Sequence, residues 1–424
     1  MAIRQILIKL NLPKLGHPER LGPWLLMLWV VLLPFQVATA SGMRLAPADL
    51  VLAVCLLLTA RWLKFPRHAW SAWHLALPPL FAMGLLVAVL RTGQITTYAL
   101  WQKGCGLLVL LGGYALVTGL TTDWARIRAL LRVFLMSVVA TNLLAMAVFL
   151  VALNRGMSLP WFIVDPRRLA GFLLDPNAYG GLLVTALAVH LPTRYSSRPL
   201  LGGIWGTLAT LTLGLGLLLT LSRSAWIGAL VLLALIGMAR PGLFRALLVP
   251  GAVALVGVPV LVGLNRFSGL VAVASRLPQI AARLDIGAEA TGAFARSPLT
   301  GIGLGVFPLI AQKGYIVHNT LLWSLTEMGF VGLVIFVGFL AWFVLAGLRA
   351  YASAPGDERI LVGSLVVAHL AMVALSMGIE AFYQRHWWLI MALLGSCQVF
   401  SRRAGTGSGP ALPPGPAEDQ SHAG

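Results

Sequence analysis

Long apolar stretches recur along this chain, separated by short polar breaks. Crossing the roughly 30 Å hydrocarbon core of a bilayer takes about 17–25 residues. Twelve segments qualify, near 22–39, 47–63, 72–90, 98–120, 128–153, 177–192, 200–221, 224–239, 244–264, 319–348, 359–378 and 386–401. The segments 177–192 and 224–239 are the shortest, and between 200 and 239 only Ser222-Arg223-Ser224 interrupts the run. With Arg223 in a tight turn between two helices, the count is even and both termini share one side. The pattern predicts an all-α, polytopic integral membrane protein of about twelve transmembrane helices, with a large, partly helical outside loop. Its expected parts are an interfacial segment 1–21, nine helices in 22–264, the loop 265–317, three helices in 318–401 and a tail 402–424.

Composition agrees with a lipid solvent. Of 424 residues, 59% are hydrophobic and only 10% charged, whereas a soluble domain carries about 25% charged residues. The formal net charge of +18 raises the question of nucleic acid, but the basic residues are scattered through short loops and build no basic face. They report orientation instead. With the N-terminus inside, 18 of the 31 Lys and Arg residues fall in cytoplasmic segments and every inside loop holds at least two. The N- and C-termini are therefore expected in the cytoplasm. Cys55, Cys105 and Cys397 lie in apolar runs without a CxxC pattern and suggest neither disulfide nor metal chemistry.

At the start, Ile3, Ile6, Leu7 and Leu10 at helical spacing beside Arg4 and Lys9 suggest a short helix on the inner leaflet. Ala38-Thr39-Ala40 resembles a cleavage site, but the preceding run is long enough to remain as a span. From Ser401 onward the chain is rich in Gly, Pro and Ser and is expected to be disordered.

The two sides differ in a way that locates chemistry. Inside loops are short, whereas the outside holds 154–176 and 265–317, and long loops of this kind are usually functional. The first contains Arg167 and Arg168, then Asp175-Pro176-Asn177 at a helix start, where Asp175 or Asn177 serves as a cap or orders a ligand. Outside arginines run against the positive-inside bias and need an anionic partner. Arg223 has no acidic residue within forty positions on either side, so its partner is lipid phosphate, a distant part of the fold, or a ligand. Arg266, Arg276, Arg283, Arg296 and Lys313 then face only Asp285 and Glu289 in the long loop. Such a cluster suits a diphosphate, which takes bidentate guanidinium contacts.

The loop ends in Gly301-Ile302-Gly303-Leu304-Gly305. No strand precedes it, so a nucleotide-binding turn is rejected in favour of a flexible turn that lets backbone approach a ligand or another helix. His318-Asn319-Thr320 opens the next helix. A histidine in a first helical turn is kept neutral by the dipole, the form a general base requires, although lone interfacial histidines are often structural. Glu327 lies nine residues on, about 13 Å down the helix. It cannot orient His318 directly and is expected to bond within the bundle near the site. Clustered carboxylates or HxxxH spacing are missing from the outside segments, so no metal or other cofactor is expected.

These features together resemble the O-antigen ligase and polymerase family of bacterial inner membranes. The resemblance rests on Arg168-Leu169-Ala170-Gly171-Phe172, Asp175-Pro176-Asn177, Ser222-Arg223-Ser224, the 298–305 segment and His318-Asn319 with Glu327-Met328-Gly329 and Gly332, and covers roughly 160–335. It implies a glycosyltransferase that moves a polysaccharide from undecaprenyl diphosphate to lipid A core on the periplasmic face. Its partners would be that lipid-linked donor, the lipid A core acceptor and membrane lipids. A polymerase joining carrier-linked repeat units is the nearest alternative, and a transporter of anionic lipid-linked sugars the alternative of another class. Under the resemblance, His318, Arg223 and Arg266 are the expected catalytic residues. Arg168, Asn177, Asn319, Arg276, Arg283, Arg296 and Lys313 are expected at the substrates, with Asp175 and Glu327 supporting the site.

Overall fold

The computed structural model describes residues 18–38, 44–155, 157, 163–164, 168–239, 241–242, 245, 277–312 and 314–405. Within them the chain runs α1 (Pro18–Leu32), α2 (Pro47–Thr59), α3 (Ala72–Thr92), a π-helical turn Tyr98–Cys105 continuing into α4 (Gly106–Leu120), α5 (Trp124–Arg155) and α6 (Pro176–Arg194). There follow α7 (Gly203–Leu219), α8 (Arg223–Ala239), α9 (Leu277–Ala295), α10 (Phe307–Ile310), α11 (Thr320–Ser353), α12 (Gly356–Ser376) and α13 (Arg385–Gly405). Two antiparallel strand pairs of two residues each, Val37–Ala38 with Arg44–Leu45 and Ile163–Val164 with Arg168–Leu169, and two 3-10 turns, Arg67–Ala69 and Gly171–Leu173, complete the described elements.

A helix covers eleven of the twelve expected apolar segments. The remaining segment, 244–264, lies outside the described residues, as do residues 1–17 and the tail beyond 405. Five helical stretches, Ala72–Thr92, Tyr98–Leu120, Trp124–Ala152, Thr320–Ser353 and Gly356–Ser376, are long and apolar enough to cross a membrane by length and composition. Four more apolar helices are shorter. The chain is an all-helical membrane protein. Its helix starts follow local rules: Pro47 and Pro176 occupy first helical positions, where their missing N–H costs nothing. Asp175 and Asn319 cap α6 and α11 with side-chain oxygens.

At the centre, α12 packs against α6, α8, α11 and α13, and α6 is buried almost throughout. Leucines such as Leu50, Leu57, Leu75, Leu90 and Leu108 stay exposed on the outer helices, as expected of surfaces that face lipid. The polar connections collect at two opposite ends. At one, Arg128 pairs with Glu358 at 3.0 Å and donates to Arg198 O at 2.8 Å, while Arg132 donates to Leu200 O at 3.0 Å. These arginines are consumed in joining loops. The other end holds the starts of α6, α8 and α11 and the end of α12.

One irregularity shapes that second end. Helix α11 is broken at Gly329, whose φ of 69° and ψ of −165° are open essentially to glycine alone. The broken ladder leaves the Thr326 and Glu327 carbonyls and the Phe330 and Val331 N–H groups without helical partners, and the segment 298–303 supplies all four. Ile302 N and Gly303 N each donate at 3.0 Å to Thr326 O and Glu327 O, while Phe330 N and Val331 N donate to Pro298 O and Leu299 O at 2.8 and 3.3 Å. Buried backbone must be paired, most of all where water is excluded. The glycine-rich turn is therefore an insert against helices: a Cβ on Gly303 would stand 2.6 Å from Ala88 N, and one on Gly329 would collide with Leu299 O. Of the two expected uses of this turn, approach to another helix is the one observed.

Gly329→Ala is expected to lower the thermal unfolding midpoint in detergent, since backbone strain alone is worth about 1–3 kcal/mol. Gly292→Ala, in open space on α9, should be neutral. Equal midpoints for the two variants would show that the insert does not hold the broken helix.

Candidate active site at one end of the bundle

The site is assembled from several short stretches. Asp175 accepts from Asn177 N at 2.8 Å and Ala178 N at 3.3 Å, which starts α6. Asn177 then serves as a hub, its Oδ1 accepting from Arg168 Nη2 at 2.8 Å and Ser222 Oγ at 2.9 Å. Arg168 also donates Nε to Thr220 O at 3.0 Å. These bonds fasten the strand pair, the start of α6 and the tight turn between α7 and α8, in which Leu221 takes a φ of 48°. Arg223 is the first residue of α8 and follows this turn directly.

Arg283 reaches the same end from α9, donating Nη1 to Gly378 O at 3.2 Å just beyond α12. Its pKa is pushed below the ordinary guanidinium value by burial first and by the positive charge of Arg223 second, with Asp175 opposing. Arg223, Arg283 and Asp175 thus share one electrostatic neighbourhood. His318 joins them, its pKa lowered by burial and then by Arg283, with Asp175 again opposing. A lowered pKa favours the neutral ring, which can accept a proton.

The reason for that neutrality differs from the one expected. The cap of α11 is Asn319, whose Oδ1 accepts from Leu322 N at 2.9 Å. His318 therefore lies one residue before the cap rather than in the first turn, and burial is the leading cause of its shift. Asn319 also donates Nδ2 to Met377 O at 3.0 Å. Both ends of its amide thus hold the fold at the residue next to His318.

Among the described residues the ion pairs are Lys103–Glu380, Arg128–Glu358 and Arg385–Asp49. Neither Arg223 nor Arg283 takes part in one. Arg296 is exposed one residue past α9, about 20 Å along that helix from Arg283, and is not brought to the cluster. Arg266, Arg276 and Lys313 lie outside the described residues, as do Asp165 and Arg167.

Glu327 is fully enclosed, accepting from Gly305 N and Trp323 Nε1, each at 2.8 Å. It bonds within the bundle, away from His318. Beside it stands an ion pair of Lys103 with Glu380. Lys103 was legible as the lone lysine within the apolar run 98–120, since an ionisable group at membrane depth is rarely idle.

No curated protein matches the chain. A family model described as O-antigen ligase matches residues 208–337. The matched stretch begins in α7 and ends in α11, and contains Arg223, Arg283, His318 and Glu327, whereas Arg168, Asp175 and Asn177 precede it. Over residues 208–337 the chain is thus similar to the O-antigen ligase family.

Proposed function

We propose that the protein transfers a glycan from undecaprenyl diphosphate to the lipid A core, on the periplasmic face of a bacterial inner membrane. The observation that carries this reading is the gathering of Arg223, Arg283 and His318 at one end of the bundle, with neither guanidinium committed to a carboxylate among the described residues. At the opposite end Arg128 is consumed by Glu358. Half-buried guanidiniums that form no ion pair among the described residues suit an anionic substrate group, and diphosphate fits their forked geometry.

The chemistry balances with these groups. An acceptor hydroxyl oxygen attacks the anomeric carbon from the face opposite the diphosphate, and His318 takes the hydroxyl proton. The bond from anomeric carbon to diphosphate oxygen breaks, its electron pair leaves with the carrier, and the two arginines stabilise the charge that develops there. Displacement in line inverts the anomeric configuration. Fixed guanidinium charge supplies what a divalent ion would otherwise supply, so turnover is expected to persist in a strong chelator.

The deciding experiment offers purified protein one carrier-linked donor with either lipid A core or a second carrier-linked glycan, in chelator. Transfer to lipid A core is expected. Product formed only on the second carrier would make the protein a polymerase, and activity restored by magnesium would remove the guanidinium mechanism. Orientation has its own check: a reporter fused after residue 290 should be periplasmic and one after Arg403 cytoplasmic, as the excess of basic residues in the inside segments requires. A cytoplasmic signal at 290 would put the site on the wrong side of the membrane for this reaction.

A further inference from the structure

Residues 377–381, between α12 and α13, take hydrogen bonds from both catalytic elements. Arg283 Nη1 donates to Gly378 O at 3.2 Å and Asn319 Nδ2 to Met377 O at 3.0 Å. Thr320 Oγ1 donates to Ile379 O at 3.2 Å and accepts from Ala381 N at 2.9 Å. One short non-helical segment thus sets where the Arg283 guanidinium stands relative to the helix start that carries His318.

The side chain of Glu380, at its middle, anchors the segment. Glu380 and Lys103 form an ion pair with side-chain exposures of only 7% and 3%. Lys103 stands on the π-helical turn Tyr98–Cys105, a winding found mostly as single turns at functional positions. Its ammonium lies 5.0, 4.4 and 4.7 Å from the ring centres of Tyr98, Trp323 and Tyr383, and Tyr383 Oη donates to Lys103 O at 3.1 Å. Trp323 links this compartment to Glu327, so one cation and two carboxylates share an aromatic-walled space. Such pairs are seldom more stabilising than apolar residues of the same volume. What this one supplies is a fixed geometry for the backbone that Glu380 belongs to.

We propose that the Lys103–Glu380 pair is a positioning device, holding residues 377–381 in the conformation that sets Arg283 beside His318. Its consequence for turnover rests on His318 acting as the base proposed above. The charged groups acting on His318 are Arg283 from α9 and Asp175 from the start of α6, and Arg223 acts in turn on Arg283. Releasing the segment lets Arg283 drift away, which removes a positive charge and lets the His318 pKa rise.

Two variants of the full chain test this in detergent. Glu380→Gln keeps the shape and leaves Lys103 facing Glu327, so no buried charge is stranded; Lys103→Met with Glu380→Gln removes the pair. NMR of histidine-labelled protein, with the His318 signal assigned by its loss in His318→Ala, reads the titration midpoint without need of substrate. Both variants are expected to raise that midpoint in the same direction as Arg283→Ala, and to slow turnover by about 10–100-fold at wild-type folded yield. An unchanged midpoint in both, while Arg283→Ala shifts it, would overturn the proposal, and so would turnover that merely follows folded yield. Should His318→Ala keep its activity, the base assignment fails, yet the midpoint still decides what the ion pair does.

Discussion

Replacing His318 with alanine is expected to reduce glycan transfer by about 10²–10⁴-fold, the range a positioned general base contributes, while donor binding stays nearly intact. The imidazole acts on the acceptor hydroxyl and adds little to ground-state affinity for the diphosphate, so the loss should fall on kcat. The pH dependence carries a sign. Burial and Arg283 lower the His318 pKa below its usual 6.5, so in the free enzyme the ring stays neutral to a more acidic pH than an ordinary imidazole. The acid limb of kcat/KM, which reports the free enzyme, should therefore lie below 6.5 and vanish with His318. A bound diphosphate opposes the shift, so the limb of kcat should sit higher. Full activity in well-folded His318→Ala would end the assignment.

Arg223→Ala and Arg283→Ala should behave differently, weakening donor binding and turnover together. Each deletes a charge-assisted contact of roughly 1.5–3 kcal/mol to the carrier diphosphate. The same contact strengthens as charge develops on the leaving oxygens, so kcat should fall beyond what lost affinity explains. Lysine at either position should rescue only in part, because an ammonium cannot make the bidentate fork. Arg283→Ala also removes the charge that depresses His318, and its acid limb should move upward. Arg296→Ala, exposed and remote from the cluster, should leave turnover near wild type. Donor affinity measured by direct binding separates these outcomes, and unchanged affinity in both Arg223→Ala and Arg283→Ala would refute a diphosphate site there.

The sequence reading expected the histidine and the arginines to act together, with His318, Arg223 and Arg266 at the reacting atoms and Arg283 at the substrate. Arg266, which the resemblance put with Arg223, lies outside the described residues, and Arg283 is the described loop arginine seen at the cluster. A loop of fifty residues offers no local rule for which of its cations turns inward. Arg283 is held there by Gly378 O, a carbonyl just past the end of another helix.

Element type and chain punctuation were legible because they depend on local physics. Apolar length locates helices at eleven segments, and Asp175 at the start of α6 needs no tertiary partner to cap it. The isolation of Arg223 from any nearby acid was likewise plain from spacing alone. Three things required the fold. The glycine-rich turn shows its purpose only against the break at Gly329, where four stranded backbone groups find partners in a segment nearly thirty residues earlier. Asn177 becomes a hub only because the turn at Ser222 is brought onto it from 45 positions away. Lys103 meets Glu380 across 277 positions, a pairing that no periodicity encodes. Hydrophobic patterning acts over a helical turn, whereas charge pairing and backbone satisfaction act across space, and the site is built from the second kind.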